Sequence, residues 1–85
     1  MNISRSEQRV LHVLAKGGAI HHERGPNGKI ADITCFTREG HVLADCTLSV
    51  FQRLRKRGLI QSMNGQPYRI TLLGRRSVRA QLDNQ

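Results

Sequence analysis

Aromatic residues are scarce in this sequence, which has no Trp, one Tyr and two Phe. Proteins that bind RNA loops or single-stranded DNA usually stack bases on exposed aromatic rings. A small core also needs the few rings available, so we expect Phe51 and Tyr68 to be buried. The composition therefore argues against a base-stacking surface.

Long hydrophobic runs are also missing. No apolar stretch approaches the ~20 residues of a membrane-spanning helix, and the opening segment, MNISRSEQR, lacks the hydrophobic region of a signal peptide. We therefore expect a cytoplasmic protein with no membrane partner. In that compartment Cys35 and Cys46 should be reduced thiols that are buried as small hydrophobic residues.

The patterns of catalytic and metal sites are lacking as well. No Ser/His/Asp or Cys/His pair has a supporting local motif, and no Gly-rich phosphate loop follows a strand. The cysteines and histidines have no zinc-like spacing, and His21 and His22 would point to opposite faces of a strand. We predict a protein that is not an enzyme and has no metal or cofactor.

Acidic residues are few. Six Asp and Glu oppose 14 Lys and Arg, which gives a formal net charge of +8. Such an excess attracts polyanions, including nucleic acids and acidic protein surfaces. A chain of 85 residues is long enough for one domain with one small core. We therefore expect one basic domain over residues 1–85.

Clear helix signals open the chain. Ser4 and Glu7 have the spacing of a capping box, and apolar residues then recur at helical intervals. Gly17 and Gly18 follow as a stop signal. These features predict a helix over residues 4–16.

A β-hairpin is predicted next. The segments AIHHER and KIADITCF flank the turn residues GPNG at 25–28, in which Pro, Asn and Gly each favour a chain reversal. Ala31, Ile33 and Cys35 alternate with polar residues and are expected to form the buried face of the second strand. Residues 41–44 are expected to add a short third strand.

A basic helix and a second hairpin follow. Thr47 is the predicted N-cap of a helix over residues 47–57, and Gly58 stands at the C′ position that favours glycine. Asn64-Gly65 is a strong hairpin-turn signal, with residues 68–70 as the returning strand. The predicted apolar side of the helix comprises Leu48, Val50, Phe51 and Leu54.

The last helix is predicted over residues 72–82, with Thr71 as its N-cap. Gly74 lowers helix propensity by about 1 kcal/mol relative to Ala, so we expect a close packing contact at that position. Residues 83–85 are predicted to be a frayed tail.

This succession predicts an α+β fold of the winged helix-turn-helix-like type, in the order helix, β-hairpin, short strand, helix, wing hairpin, helix. In such folds a helix and a wing form the binding surface. Gln pairs with adenine and Arg with guanine in the major groove, and cations at a helix end suit phosphates. The candidate nucleic-acid or partner-binding residues are Ser49, Gln52, Arg53, Arg55, Lys56, Arg57, Asn64, Gln66 and Arg69.

One part of an ordinary helix-turn-helix is not predicted. Residues 38–44 have the pattern of a turn and a strand, where a bracing helix normally precedes the recognition helix. Because a fold does not determine a function, two hypotheses about the function of this surface stay open. The chain is a DNA-binding regulator that reads bases with Gln52 and Arg53, or an adaptor whose basic face contacts an acidic protein.

Several whole segments resemble the YjhX-type family of small bacterial proteins. These segments are EQRVLHVLAKG, TREG, ADCTLSVFQRL, LIQSMNGQPYRI and VRAQLDN, and they extend from Glu7 to Asn84. The resemblance implies a toxin of a chromosomal toxin–antitoxin pair that inhibits DNA topoisomerase I. It also implies an acetyltransferase-like antitoxin as a partner. It brings no catalytic residues, so the site residues above rest on their chemistry alone.

Overall fold

The computed structural model describes residues 3–82, and the side chains of residues 3–78. The elements in chain order are α1 (Arg5–Ala15), β1 (Ala19–Arg24), β2 (Ile30–Phe36), α2 (Leu48–Lys56), β3 (Ile60–Gln61), β4 (Arg69–Ile70) and α3 (Leu72–Leu82). The described chain is thus a small α+β fold with three helices and two antiparallel hairpins. The predicted class and the order of the helices and hairpins are confirmed, the predicted short strand before α2 is absent from the described residues, and the winged-helix assignment stays a prediction. The predicted tail at 83–85 lies outside the described residues.

The predicted helix caps are all present. Ser4 and Glu7 form the capping box of α1. The Thr47 side chain accepts a hydrogen bond from the Val50 N–H at the start of α2, and Gly58 ends that helix with φ of 73°. These local interactions set the boundaries within one residue of those predicted.

The first hairpin contains a β-bulge that was not predicted. Glu23 pairs with Asp32 and Arg24 pairs with Ile30, so Ala31 is an extra residue with no partner on β1. A bulge shifts the alternation of side chains along a strand. Ala31 is therefore exposed, and Ile30 is buried in its place. The prediction that Ala31 belongs to the buried face is wrong, whereas Cys35 is buried as expected.

Residues 41–44 do not extend into a strand. Val42 makes an isolated bridge with Phe36, and the Leu43 N–H donates to the Cys35 carbonyl at 2.8 Å. No helix lies between β2 and α2 in the described chain, as the sequence predicts. The segment that precedes α2 is thus held by β2 and not by a bracing helix.

The second hairpin has a tight tip. Asn64 and Gly65 have φ of 56° and 77°, the positive values of a type I′ turn. The Gln66 N–H donates to the Met63 carbonyl across this turn at 3.0 Å. The paired segments β3 and β4 are two residues long each, so residues 62–68 form most of the wing.

The core draws side chains from every helix and from both hairpins. Phe51 is fully buried, with its ring edge-on to Tyr68 at a centroid distance of 4.9 Å. Leu48 is 39% exposed, so it is not buried with the other three residues of the predicted apolar side. It is the first residue of α2 and lies at the margin of the apolar face. The cluster comprises Val10, Leu11, Leu14, Ile20, Ile30, Cys35, Cys46, Val50, Phe51, Leu54, Leu59, Ile60, Tyr68 and Val78.

The close contact predicted at Gly74 is confirmed. A Cβ atom at this position would overlap the Leu59 carbonyl oxygen and would lie 2.6 Å from Cγ1 of Ile70. Glycine therefore lets α3 start directly against the strand that follows α2.

Candidate interaction surface

The outward side of α2 is the centre of the predicted surface. Val50, Phe51 and Leu54 turn one side of this helix into the core. Because side chains three and four residues apart share a helix face, the opposite side is left to solvent. The exposed residues on it are Ser49, Gln52, Arg53, Arg55 and Lys56.

Two of the predicted basic residues are bound within the chain. The Glu7 carboxylate accepts from Arg57 Nη1 at 3.0 Å and lies 3.5 Å from Arg53 Nη1. Glu7 is 1% exposed, although it carries a formal charge. A buried carboxylate is costly unless it is paired and hydrogen-bonded. These two arginines, together with the Ser4 N–H at 3.4 Å, supply the partners.

Arg53 has a further partner on its own helix. Its Nη2 donates to Ser49 Oγ at 3.1 Å, which fixes both side chains along one side of α2. For Arg53 to pair with guanine, as the DNA-reading hypothesis requires, its guanidinium must leave Ser49 and Glu7. The base-reading chemistry predicted for this residue thus competes with an existing network.

Arg55 and Lys56 differ from those two arginines. Both are exposed, and no ion pair among residues 3–78 involves either of them. Their charges are therefore available to an acidic partner. Gln52, one helical turn before them, is also exposed.

The wing tip adds two exposed polar side chains, Asn64 and Gln66. The Ser62 hydroxyl donates to the Gln66 carbonyl and helps to close the tip. The side chain of Arg69, on β4, extends away from the wing tip, because its Nη1 donates to the carbonyl of Gly17 at 3.5 Å. Arg69 is thus placed at the end of α1, apart from the wing residues with which it was predicted.

Glu7 is absent from the predicted site, although the sequence contains a signal for its burial. It lies three, four and seven residues before Val10, Leu11 and Leu14, which are the buried residues of α1. That spacing puts it on the apolar face of the helix. A carboxylate on such a face requires a cation from another element, and α2 provides it.

The two cysteines lie together in the core as free thiols. A hydrogen bond from Cys46 lowers the pKa of Cys35, and this effect outweighs the increase caused by burial. The same hydrogen bond, with burial, raises the pKa of Cys46 well above its usual range. The prediction that both are buried and unbridged is confirmed.

Two of the four histidines, both on β1, pack against aromatic rings. His21 is edge-on to Phe36 and His22 is edge-on to Tyr68, with centroid distances of 4.9 and 5.1 Å. Across residues 3–78, no group of three His, Cys, Asp or Glu is placed to hold a metal ion. Nor does any helix in the described part of the chain have the length and apolar character needed to cross a membrane.

Comparison with known proteins gives consistent relatives. A family profile described as "putative toxin of bacterial toxin-antitoxin pair" matches residues 1–85. The chain is 68% identical to a UPF0386 protein of Beijerinckia indica and 62% identical to one of Brucella anthropi, over the full length of each chain. It is 52% identical to a UPF0386 protein of Aliivibrio fischeri, also over both full lengths. No solved structure matches.

The family description implies an antitoxin partner for the proteins that it covers. The match extends over every segment that carried the resemblance, from the capping box of α1 to the C-terminal helix. With relatives of this similarity over whole chains, the chain belongs to the YjhX-type toxin family.

Proposed function

We propose that this chain is a toxin that binds DNA topoisomerase I and blocks the relaxation of supercoiled DNA. The topoisomerase is the target implied by the family resemblance, and it acts on DNA in the cytoplasm. The binding surface that we propose is the outward side of α2 with the wing tip. Its residues are Ser49, Gln52, Arg53, Arg55, Lys56, Arg57, Asn64 and Gln66.

The observation that carries this proposal is the division of the α2 cations into two pairs. Glu7 holds Arg53 and Arg57, whereas Arg55 and Lys56 are exposed and outside the ion pairs of the described residues. Free cations beside a polar wing suit an acidic protein surface, since complementary charge speeds encounter and selects the partner. Base reading by Arg53 would instead disrupt two existing contacts.

The antitoxin is proposed to be the acetyltransferase-like protein that the resemblance implies, and to cover the same surface. A partner that occupies Arg55 and Lys56 would block access of the topoisomerase to them. Co-expression with the protein encoded beside this chain, followed by co-purification, tests that pairing. Substitution of both cations by Glu should abolish co-purification.

A plasmid relaxation assay tests the proposed target. In this assay, purified topoisomerase I is incubated with supercoiled plasmid and increasing amounts of the chain, and the relaxed fraction is measured. The wild type should inhibit relaxation, and Arg55→Glu/Lys56→Glu should need at least about tenfold more protein, because both charges in contact with the enzyme are reversed. Arg24→Glu/Lys29→Glu, which reverses two exposed charges at the tip of the first hairpin, should inhibit as the wild type does.

Two results would contradict the proposal. One is complete relaxation at saturating wild-type protein, and the other is equal loss of inhibition in both double variants. Capture of topoisomerase I by the immobilised chain, with and without nuclease treatment, then separates direct protein binding from binding through DNA. Capture that disappears with nuclease would favour the DNA-binding alternative.

A further inference from the structure

The end of α1 has an unusual set of neighbours. Gly17, with φ of 110°, and Gly18 terminate this helix, and their N–H groups donate to the carbonyls of Leu14 and Val13. The carbonyls of Ala15 and Gly17 accept hydrogen bonds from arginines of distant segments. Arg75 Nη1 donates to Ala15 at 3.3 Å and Arg69 Nη1 donates to Gly17 at 3.5 Å.

Two more basic residues lie close to Gly17. A Cβ atom on Gly17 would lie 3.3 Å from Cδ of Arg38, so the aliphatic part of Arg38 covers this glycine. Lys16, the C-cap residue of α1, precedes it directly. All four cations are exposed. We call this set the α1-end cluster: Lys16, Arg38, Arg69 and Arg75.

No member of the α1-end cluster forms an ion pair with an acidic residue of the described chain. Glu7 pairs with Arg53 and Arg57, and Asp45 pairs with Arg9 at 3.0 Å. No ion pair within residues 3–78 reaches any member of the cluster. Capping of α1 uses only one N–H of Arg69 and one of Arg75, so the other guanidinium donors remain available.

We infer that the α1-end cluster is a phosphate-binding site for the backbone of duplex nucleic acid. A guanidinium presents paired N–H donors that match phosphate oxygens, and its charge does not depend on pH. The hydrogen bonds to the α1 carbonyls already orient Arg69 and Arg75, which lowers the cost of ordering them on binding. None of its four members is an aromatic residue that could stack bases or an apolar residue that could anchor a protein interface. Its chemistry therefore favours backbone contact without reading of sequence.

A binding assay without topoisomerase tests this site. The affinity of the full chain for a duplex of arbitrary sequence is measured by fluorescence anisotropy at several salt concentrations. Arg69→Gln/Arg75→Gln should weaken binding about tenfold at low salt. The slope of log affinity against log salt should fall by about 1.8, because each lost phosphate contact contributes about 0.9. The outcome does not depend on the target proposed above.

The matched control is Arg24→Gln/Lys29→Gln. It removes the same charge from the tip of the first hairpin, and Arg24 likewise donates to a backbone carbonyl, that of Gly28 at 2.8 Å. This variant should keep the wild-type salt slope. Equal weakening in both double variants would overturn the site, because net charge alone would then explain the loss.

A second cluster variant covers the case in which loss of the α1 caps unfolds the chain. Lys16→Gln/Arg38→Gln removes two cations that make no side-chain hydrogen bond within residues 3–78, and it should reduce affinity and slope in the same direction. Wild-type DNA affinity in the folded cluster variants would overturn the inference. So would loss of binding to polyglutamate with duplex binding unchanged, which would assign the cluster to an acidic protein.

Discussion

Glu7 shows how one residue alters the properties of a surface on another element. Its place in the capping box is set by Ser4, three residues away, and its carboxylate also binds Arg53 and Arg57 of α2. Both arginines are partly exposed, at 52% and 34% of their side chains. Water therefore screens the pairs, and their contribution to stability should be smaller than that of a fully buried pair.

Glu7→Gln tests this account. The substitution keeps the shape of a buried side chain but removes the charge that both arginines face. We expect the free energy of unfolding to fall by about 1–3 kcal/mol, measured by urea denaturation. The control is Asp45→Asn, which removes an exposed pair with Arg9 and should cost less than about 1 kcal/mol. A larger effect at Asp45 than at Glu7 would contradict the account.

The thiol pair gives a second prediction at this scale. The Cys46 thiol donates to the sulfur of Cys35 and lowers the pKa of Cys35, while burial acts in the opposite direction. Cys46→Ala removes the lowering effect and leaves the burial, so the pKa of Cys35 should rise. Thiolate absorbance in the ultraviolet, followed against pH, measures the midpoint.

Cys35→Ala is the converse variant. The pKa of Cys46 is raised chiefly by its hydrogen bond to Cys35, so it should fall towards the usual cysteine range in this variant. An unchanged Cys35 midpoint in Cys46→Ala would show that the two thiols are not hydrogen-bonded.

At the scale of elements, Thr71 connects two helices. Its hydroxyl donates to the carbonyl of Gly58, at the end of α2, at 2.8 Å. The same oxygen accepts from the Gly74 N–H at 3.0 Å and so caps α3. Thr47, by contrast, only caps its own helix. Both threonines are N-caps, but only Thr71 also bonds to the end of another helix.

Thr71→Ala should therefore cost more than Thr47→Ala. Loss of an N-cap costs about 1 kcal/mol, and Thr71→Ala also leaves the Gly58 carbonyl without this donor. We expect about 1–2 kcal/mol for Thr71 and about 1 kcal/mol or less for Thr47, from thermal or urea unfolding. Thr71→Ser keeps both hydrogen bonds and should stay close to the wild type. Equal costs for the two alanine variants would refute the bridging role.

For the whole molecule, the contact between the two hairpins decides how they are arranged. Ile20 on β1 and Tyr68 beside β4 exchange backbone hydrogen bonds at 3.0 and 2.8 Å. Both side chains are buried. This bridge fixes the first hairpin against the wing, so both should open only when the fold as a whole opens.

Amide hydrogen exchange tests this coupling. The Ile20 and Tyr68 amides should exchange at rates close to those of the slowest core amides, because both lie in the bridge. The Gly28 and Lys29 amides, in the exposed turn of the first hairpin, should exchange much faster. Fast exchange at Ile20 with slow exchange in α1 would show that the first hairpin opens independently.

Charge is also distributed at this scale. The described carboxylates that are not in ion pairs are Glu23, Asp32 and Glu39, all between residues 23 and 39. The unpaired cations on α2 and three of the four residues of the α1-end cluster lie outside that segment, whereas Arg24, Lys29 and Arg38 lie within it. Acidic and basic residues balance within this segment, so the net positive charge of the molecule lies on the rest of the chain, a division that would orient it towards a polyanion.

The sequence by itself determined the helices, their caps and the turns, because these depend on interactions within about four residues. Ser4 with Glu7, Thr47 with Val50 and Asn64 with Gly65 are of this kind. The exposure of side chains was less predictable where a strand is irregular. Regular alternation placed Ala31 on the buried face of β2, but the β-bulge at that residue leaves it exposed.

Only the tertiary structure decided which charges are free. Arg53 and Arg57 meet Glu7 across 46 and 50 residues, and Arg69 and Arg75 reach the end of α1 across 52 and 60. Nothing in the local pattern specifies such pairs, since they depend on how the helices pack. The sequence predicted a basic surface, and the packing divided it into a pair of arginines held by Glu7, two free cations on α2 and a separate cluster at the end of α1.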